Sequence, residues 1–132
     1  MAEPLLSWAL LVGRISLALV YLVSAVHKGI HFDKALVEFR EARVPFLRAS
    51  VVGTVVLHAA ASVAIMLGVL VRESALALAL FTLLATYRVH DFWNRSGEDK
   101  LAQSRIALAH IAVIGGLVIL AAVGPGELVL LD

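Results

Sequence analysis

Residues 47–90 read LRASVVGTVVLHAAASVAIMLGVLVRESALALALFTLLATYRVH, two apolar runs at 47–71 and 74–90 that meet at the single charged pair Arg72-Glu73. A run of about 20 apolar residues is long enough to cross the hydrocarbon core of a bilayer as a helix. Inside lipid every backbone N–H and C=O must find its partner within the protein, so a segment of this kind is helical. A connection as short as Arg72-Glu73 makes the two helices antiparallel neighbours. Two more apolar stretches flank this pair, at 5–30 and 101–123, and 74–90 is the shortest of the four. The expected fold is therefore all-α, an integral membrane four-helix bundle forming one domain over residues 1–132. The first span is expected to stay in the mature protein, because Glu3 rather than a basic region precedes it and its apolar run is too long for a signal core.

Composition agrees with the bilayer as solvent and removes several function classes. Hydrophobic residues make up 61% of the chain and charged residues 16%, which is too apolar for a soluble domain of 132 residues. The formal net charge of +1 leaves no basic face for nucleic acid. Cysteine is absent, which excludes disulfides, thiol redox chemistry and thiolate metal sites. No phosphate-binding loop, dinucleotide fingerprint, nucleophile elbow or zincin motif occurs.

Four crossings place both termini on one side of the membrane. Lys28, Lys34, Arg40, Arg43, Arg48, Arg88, Arg95, Lys100 and Arg105 gather at the other side, and only Arg14 and Arg72 lie elsewhere. The positive-inside rule makes that cationic side cytoplasmic, so the chain is expected in the bacterial cytoplasmic membrane with both termini extracytoplasmic. Trp8 at one end and Tyr87 with Trp93 at the other suit interfacial anchoring. In the first cytoplasmic connection Phe32, Leu36 and Phe39 recur at helical spacing, Asp33 is placed to cap, and Pro45 to terminate. A short helix lying in the headgroup layer is expected there.

Each span carries polar residues at helical spacing, in steps of three and four in the first two, on a slowly drifting line in the third and seven apart in the fourth. The first has Arg14, Tyr21, Ser24, Lys28 and His31; the second Ser50, Thr54, His58 and Ser62; the third Ser74, Thr82, Thr86 and His90; the fourth Gln103 and His110. Lipid offers these groups no hydrogen bonds, so the stripes are expected to turn inward and form a polar seam. Ala60, Ala64 and Gly68 form a small-residue row for helix approach, as do Gly115 and Gly116. Arg14 is expected to reach toward the extracytoplasmic side, to Glu73 or Glu3, as a structural group. Thr54, Thr86 and His90 are likewise assigned structural polar roles.

His58 and His110 sit at comparable depth from the cytoplasmic side, on helices that lie diagonally opposite if the bundle closes in that order. With Tyr21, Lys28 and His31 they are the candidate ligand-binding residues, forming a neutral-to-cationic pocket in the cytoplasmic half. Such a pocket suits a quinone or an anion, with histidine able to exchange protons near neutral pH. Two histidines on opposed helices are also the ligand set of a b-type haem. No carboxylate lies within the spans, Asp33 and Asp91 standing at their boundaries, so no non-haem metal site is expected.

Gly13-Arg14, the series Tyr21, Ser24 and Lys28, Val44-Pro45, Gly68 with Arg72, His90-Asp91-Phe92-Trp93, Gln103 and Ile114-Gly115-Gly116-Leu117 occur in this order along nearly the whole chain. In these the sequence resembles the DoxX family of small four-helix bacterial membrane proteins. It departs from that family at two positions: His58 stands where many relatives have glutamate, and Ala109-His110 where they tend to have Lys-Asn. The resemblance implies association with the oxidation of sulfur compounds to quinone and with oxidative-stress or metal-linked operons. The expected function is a small membrane component of a redox system. One alternative is a non-catalytic accessory or assembly subunit packed against other membrane protein subunits, and the other is a bis-histidine haem electron carrier.

Overall fold

A computed structural model describes residues 2–130 of the chain; residues 1, 131 and 132 of the expected single unit lie outside it. The described residues form five α-helices and one 3-10 turn. They are α1 (Ala2–Ile30), α2 (Phe32–Glu41), α3 (Leu47–Leu67), α4 (Val71–Val89), the turn Phe92–Asn94 and α5 (Gly97–Val123). Four of these helices are long and apolar enough to cross a membrane, and the short α2 falls between the first two. The expected architecture is thus the observed one.

The long helices close a ring in the order α1, α3, α4, α5, with α5 returning to α1. Among the described residues the backbones of α3 and α5 do not approach each other, and the two helices stand diagonally opposite. The end of the bundle that carries α2 is called here the α2 end. Opposite it, the interior is filled by Ala18, Ala61, Ile65, Ala75, Leu78, Leu117 and Leu120. Alanine on α3 and α4 lets the backbones come close at this end. Their outer faces expose Val52, Val56, Leu76, Leu80, Leu83 and similar side chains, which suits a surface solvated by acyl chains.

Three local expectations need correction. The small-residue row is displaced by one position, since Ala60 faces out while Ala61 is buried. On α5 only Gly116 receives a neighbour: a Cβ there would lie 3.0 Å from a Leu17 methyl, whereas one on Gly115 would meet nothing within 4 Å. The turn between the second and third spans occupies residues 68–70 rather than Arg72-Glu73. Gly68 ends α3 in the left-handed region at φ 87°, its N–H donating to the Ala64 and Ile65 carbonyls, and Leu70 takes φ 48° before α4 begins at Val71. Arg72 and Glu73 therefore lie in the first turn of α4, where the Glu73 carboxylate meets the positive end of the helix dipole.

Asp33 likewise belongs to the first turn of α2 rather than to its cap; the capping position is His31, which makes no side-chain capping bond. Helix α2 stops at Glu41, ahead of Pro45, and buries Ala35 against the bundle. The turn between α4 and α5 is tied by Arg95, which donates to Asp91 and Asp99 at 3.0 Å each and to the Val89 carbonyl at 3.2 Å. Hydrogen bonds to Asp99 and then Asp91 hold the half-buried Arg95 guanidinium above its ordinary pKa.

Arg14 does not reach Glu3 or Glu73. Its side chain is 1% exposed, and it donates to the Ile65 carbonyl at 2.8 Å, the Met66 carbonyl at 3.2 Å and the Pro125 carbonyl at 2.8 Å. Ile65 and Met66 are in the last turn of α3, whose final carbonyls have no intrahelical partner. A cation at a helix C-terminus is also favoured by the dipole. The chain after α5 folds over this end: Leu130 N–H donates to the Leu67 carbonyl, and Val129 lies so close to Gly68 that a Cβ on that glycine would stand 2.4 Å from a Val129 methyl.

Candidate functional site

Where the opposite half of the bundle is packed, the α2 half is hollow. A cavity of about 610 Å³ lies between α1, α3, α4 and α5, and α2 with Val44-Pro45 contributes to its wall at the α2 end. That volume is within the range of small-molecule sites, and most of its lining is apolar with a few polar groups. Tyr21 and Lys28 come from α1, Thr54 and His58 from α3, Thr82, Arg88 and His90 from α4, and His110 from α5. Each lies on its helix in the three-or-four-residue stripe except Arg88.

His58 is the unusual member. It is 4% exposed, and neither ring nitrogen has a hydrogen-bond partner. The ring is held by aromatic edges instead: the Tyr21 ring centroid is 5.1 Å away at 80°, and that of Phe81 4.7 Å away at 85°. A buried imidazole left without partners costs about 1–3 kcal/mol relative to a satisfied one.

The other polar groups are partnered. Tyr21 Oη is 2.5 Å from Thr82 Oγ1, a bond across the ring diagonal between α1 and α4. His110 Nδ1 is 2.8 Å from Thr86 Oγ1, and the His110 ring meets that of His90 edge-on at 5.0 Å. His90 Nδ1 is in turn 2.6 Å from Gln103 Oε1. Thr86 and His90 thus hold His110 in place, and Thr54 bonds to the Ser50 carbonyl of its own helix. Lys28 Nζ donates to Ser24 Oγ at 2.7 Å. Arg88 reaches the Arg43 carbonyl at 2.8 Å, linking α4 to the loop after α2.

Tyr21, Lys28, His58 and His110 are therefore brought to one cavity, while His31 is not. The α1 helix ends at Ile30, so His31 leaves the stripe at φ −106°, is exposed, and meets the His27 ring at a tilt of 52° and a centroid distance of 4.7 Å. His58 and His110 line the same space from diagonal helices whose backbones do not approach each other. Sequence inspection missed Phe81, Glu38, Phe39 and Arg88. Phe81 stands beside Thr82 and differs from other apolar residues of α4 only by its ring, and the α2 residues enter the wall through a loop geometry that carries no periodic signal. Among the described residues no group of three or more His, Cys, Asp or Glu is placed to hold a metal ion.

Residues 9–91 match the DoxX family. The chain belongs to the DoxX family. The match runs from residue 9, within α1, to just past the end of α4, so the cavity walls contributed by Tyr21, Lys28, His58 and Thr82 lie inside it and His110 lies beyond it. Over 128 residues this DoxX chain is 26% identical to inner membrane protein YphA of Escherichia coli (strain K12), an alignment that covers 96% of the chain and 89% of the relative. No solved structure matches it. It is a multi-pass membrane protein of that family.

Proposed function

We propose that this DoxX-family chain is a small component of a redox system in the bacterial inner membrane, and that its cavity holds the head group of a quinone. The observation that carries the reading is His58, an imidazole in a mostly apolar cavity with both nitrogens unpartnered. A quinone ring is flat and apolar with an oxygen at each end. Phe81, Leu57 and Val113 offer such a ring apolar walls, and His58 offers one of its oxygens a ring N–H. The ligand is membrane-borne, so it arrives already at bilayer depth. Protein purified in mild detergent is expected to retain a lipophilic quinone, read by mass spectrometry of its organic extract at close to one per chain. Extracts no richer in quinone than those of an unrelated membrane protein of the same size would reject the proposal.

A bis-histidine haem draws less support from the geometry. The His58 ring is wedged edge-on between Tyr21 and Phe81, and His110 packs against a third imidazole. A Soret band in the purified protein would nevertheless replace the quinone with haem.

The α2 end is taken as cytoplasmic, because nine of the eleven Lys and Arg residues lie at or near it. The cysteine-free sequence makes this directly testable in spheroplasts with a membrane-impermeant maleimide. Glu127→Cys is expected to be labelled and Glu98→Cys to be protected until the membrane is opened, both positions being exposed. The opposite pattern would invert the topology.

A further inference from the structure

The hydrogen bonds around the cavity determine where its protons are. Thr86 Oγ1 lies 2.6 Å from the Thr82 carbonyl, which has no proton to give, so the Thr86 hydroxyl must donate there. Towards His110, 2.8 Å away, Thr86 can then only accept. His110 Nδ1 therefore carries the hydrogen, and in the neutral ring Nε2 is a bare lone pair. The same logic applies on the facing wall. Thr82 Oγ1 donates to the Leu78 carbonyl at 2.7 Å, so Tyr21 donates its phenolic proton to Thr82 at 2.5 Å and keeps only lone pairs for anything else. Thr54 has given its proton to the Ser50 carbonyl at 2.8 Å. Three of the interior polar side chains thus accept and do not donate.

His58 does not break the pattern, since either tautomer offers one donor and one acceptor. The remaining donors lie toward the α2 end: Ser24, whose Oγ accepts from Lys28 and keeps its own proton, and the cations Lys28 and Arg88, which already bond to Ser24 and to the Arg43 carbonyl.

We infer that the interior of the cavity selects a ligand that donates hydrogen bonds, with His110 and Tyr21 as the specificity-determining acceptors. This rests on the quinone proposal and refines it: the form held is the hydroquinone, whose two hydroxyls donate, in preference to the quinone, whose carbonyls only accept. An acceptor facing an acceptor leaves both unsatisfied, and the cost of one such mismatch in a buried site corresponds to about tenfold or more in affinity.

Anaerobic titration of the full-length protein in lipid nanodiscs with three probes of one shape tests this: a short-tailed benzohydroquinone, the corresponding benzoquinone, and the para-dimethyl ether. The hydroquinone is expected to bind at least about tenfold more tightly than either of the others. Thr86→Val removes the acceptor that holds the His110 tautomer, and Tyr21→Phe removes the other acceptor. Each is expected to shrink the ratio several-fold while hydroquinone still binds through His58. A quinone that binds as tightly as the hydroquinone to the wild-type protein overturns the inference and leaves the quinone site standing. A ratio unchanged in both variants also overturns it. Binding of none of the three probes removes the quinone site itself, and the selectivity with it.

Discussion

Replacing Arg14 with leucine is expected to destabilise the protein by about 3–5 kcal/mol, the scale on which removing one partner strands a buried polar set. Two effects oppose each other. Leucine removes the unfavourable burial of a guanidinium that is 1% exposed, which favours the variant. It also takes the side-chain donor from the Met66 and Pro125 carbonyls and leaves the Ile65 carbonyl with the Gly68 N–H alone. Three lost bonds to a charged donor outweigh one relieved desolvation, because each such bond contributes about 1.5–3 kcal/mol. Lysine, with a single point of attachment, is expected to recover only part of the loss. Denaturation in mixed micelles reads the magnitude, and protease sensitivity of the segment at 124–130 reads the location. A leucine variant that unfolds at the wild-type midpoint would show that the three carbonyls are satisfied in some other way.

For His58→Phe, stability and binding are expected to move in opposite directions. The imidazole makes no hydrogen bond, and a phenyl ring keeps the edge contacts with Tyr21 and Phe81. Exchanging an unsatisfied buried polar ring for an apolar one of similar shape is expected to stabilise the ligand-free protein by about 1 kcal/mol or slightly more. Retained quinone is expected to fall about tenfold or more, since the unpartnered imidazole on which the proposed site rests is gone. A residue selected for packing behaves otherwise, losing stability on substitution. A thermal melt of the quinone-free protein beside mass spectrometry of the extract separates the cases, and a phenylalanine variant that is less stable yet keeps its quinone would remove His58 from the site.

The spans and the inward turn of the polar stripes were legible because both follow from counting: length against bilayer thickness, and spacing against the helical repeat. Tyr21, Thr54, His58, Ser62 and Thr82 are all buried as that spacing requires. What escaped were features set by single backbone torsions or by carbonyl acceptors. Leu67 to Val71 is an unbroken apolar run, and nothing in it but Gly68 announces that α3 stops there; the charged Arg72 drew the turn toward itself. His31 continues the spacing of Lys28 in sequence but not in space, because the helix stops one residue earlier. The partners of Arg14 are main-chain oxygens, which every residue possesses, so no side-chain pattern points to them. The contact of His110 with Thr86 required knowing how α4 and α5 are rotated about their own axes, which periodicity within one helix does not supply.

The clamp at the end opposite α2 has a consequence for biogenesis. Arg14 and Leu67 both find acceptor or donor partners in residues 125–130, more than a hundred positions downstream of the arginine. While the ribosome is still extending the polypeptide, the first two crossings can insert and pair, but their shared end stays incompletely bonded until translation has passed residue 130. Nascent chains halted before that point would carry a guanidinium still seeking its third oxygen inside the bilayer, and surveillance proteases of the membrane would have a chemical mark by which to tell an unfinished copy from a finished one.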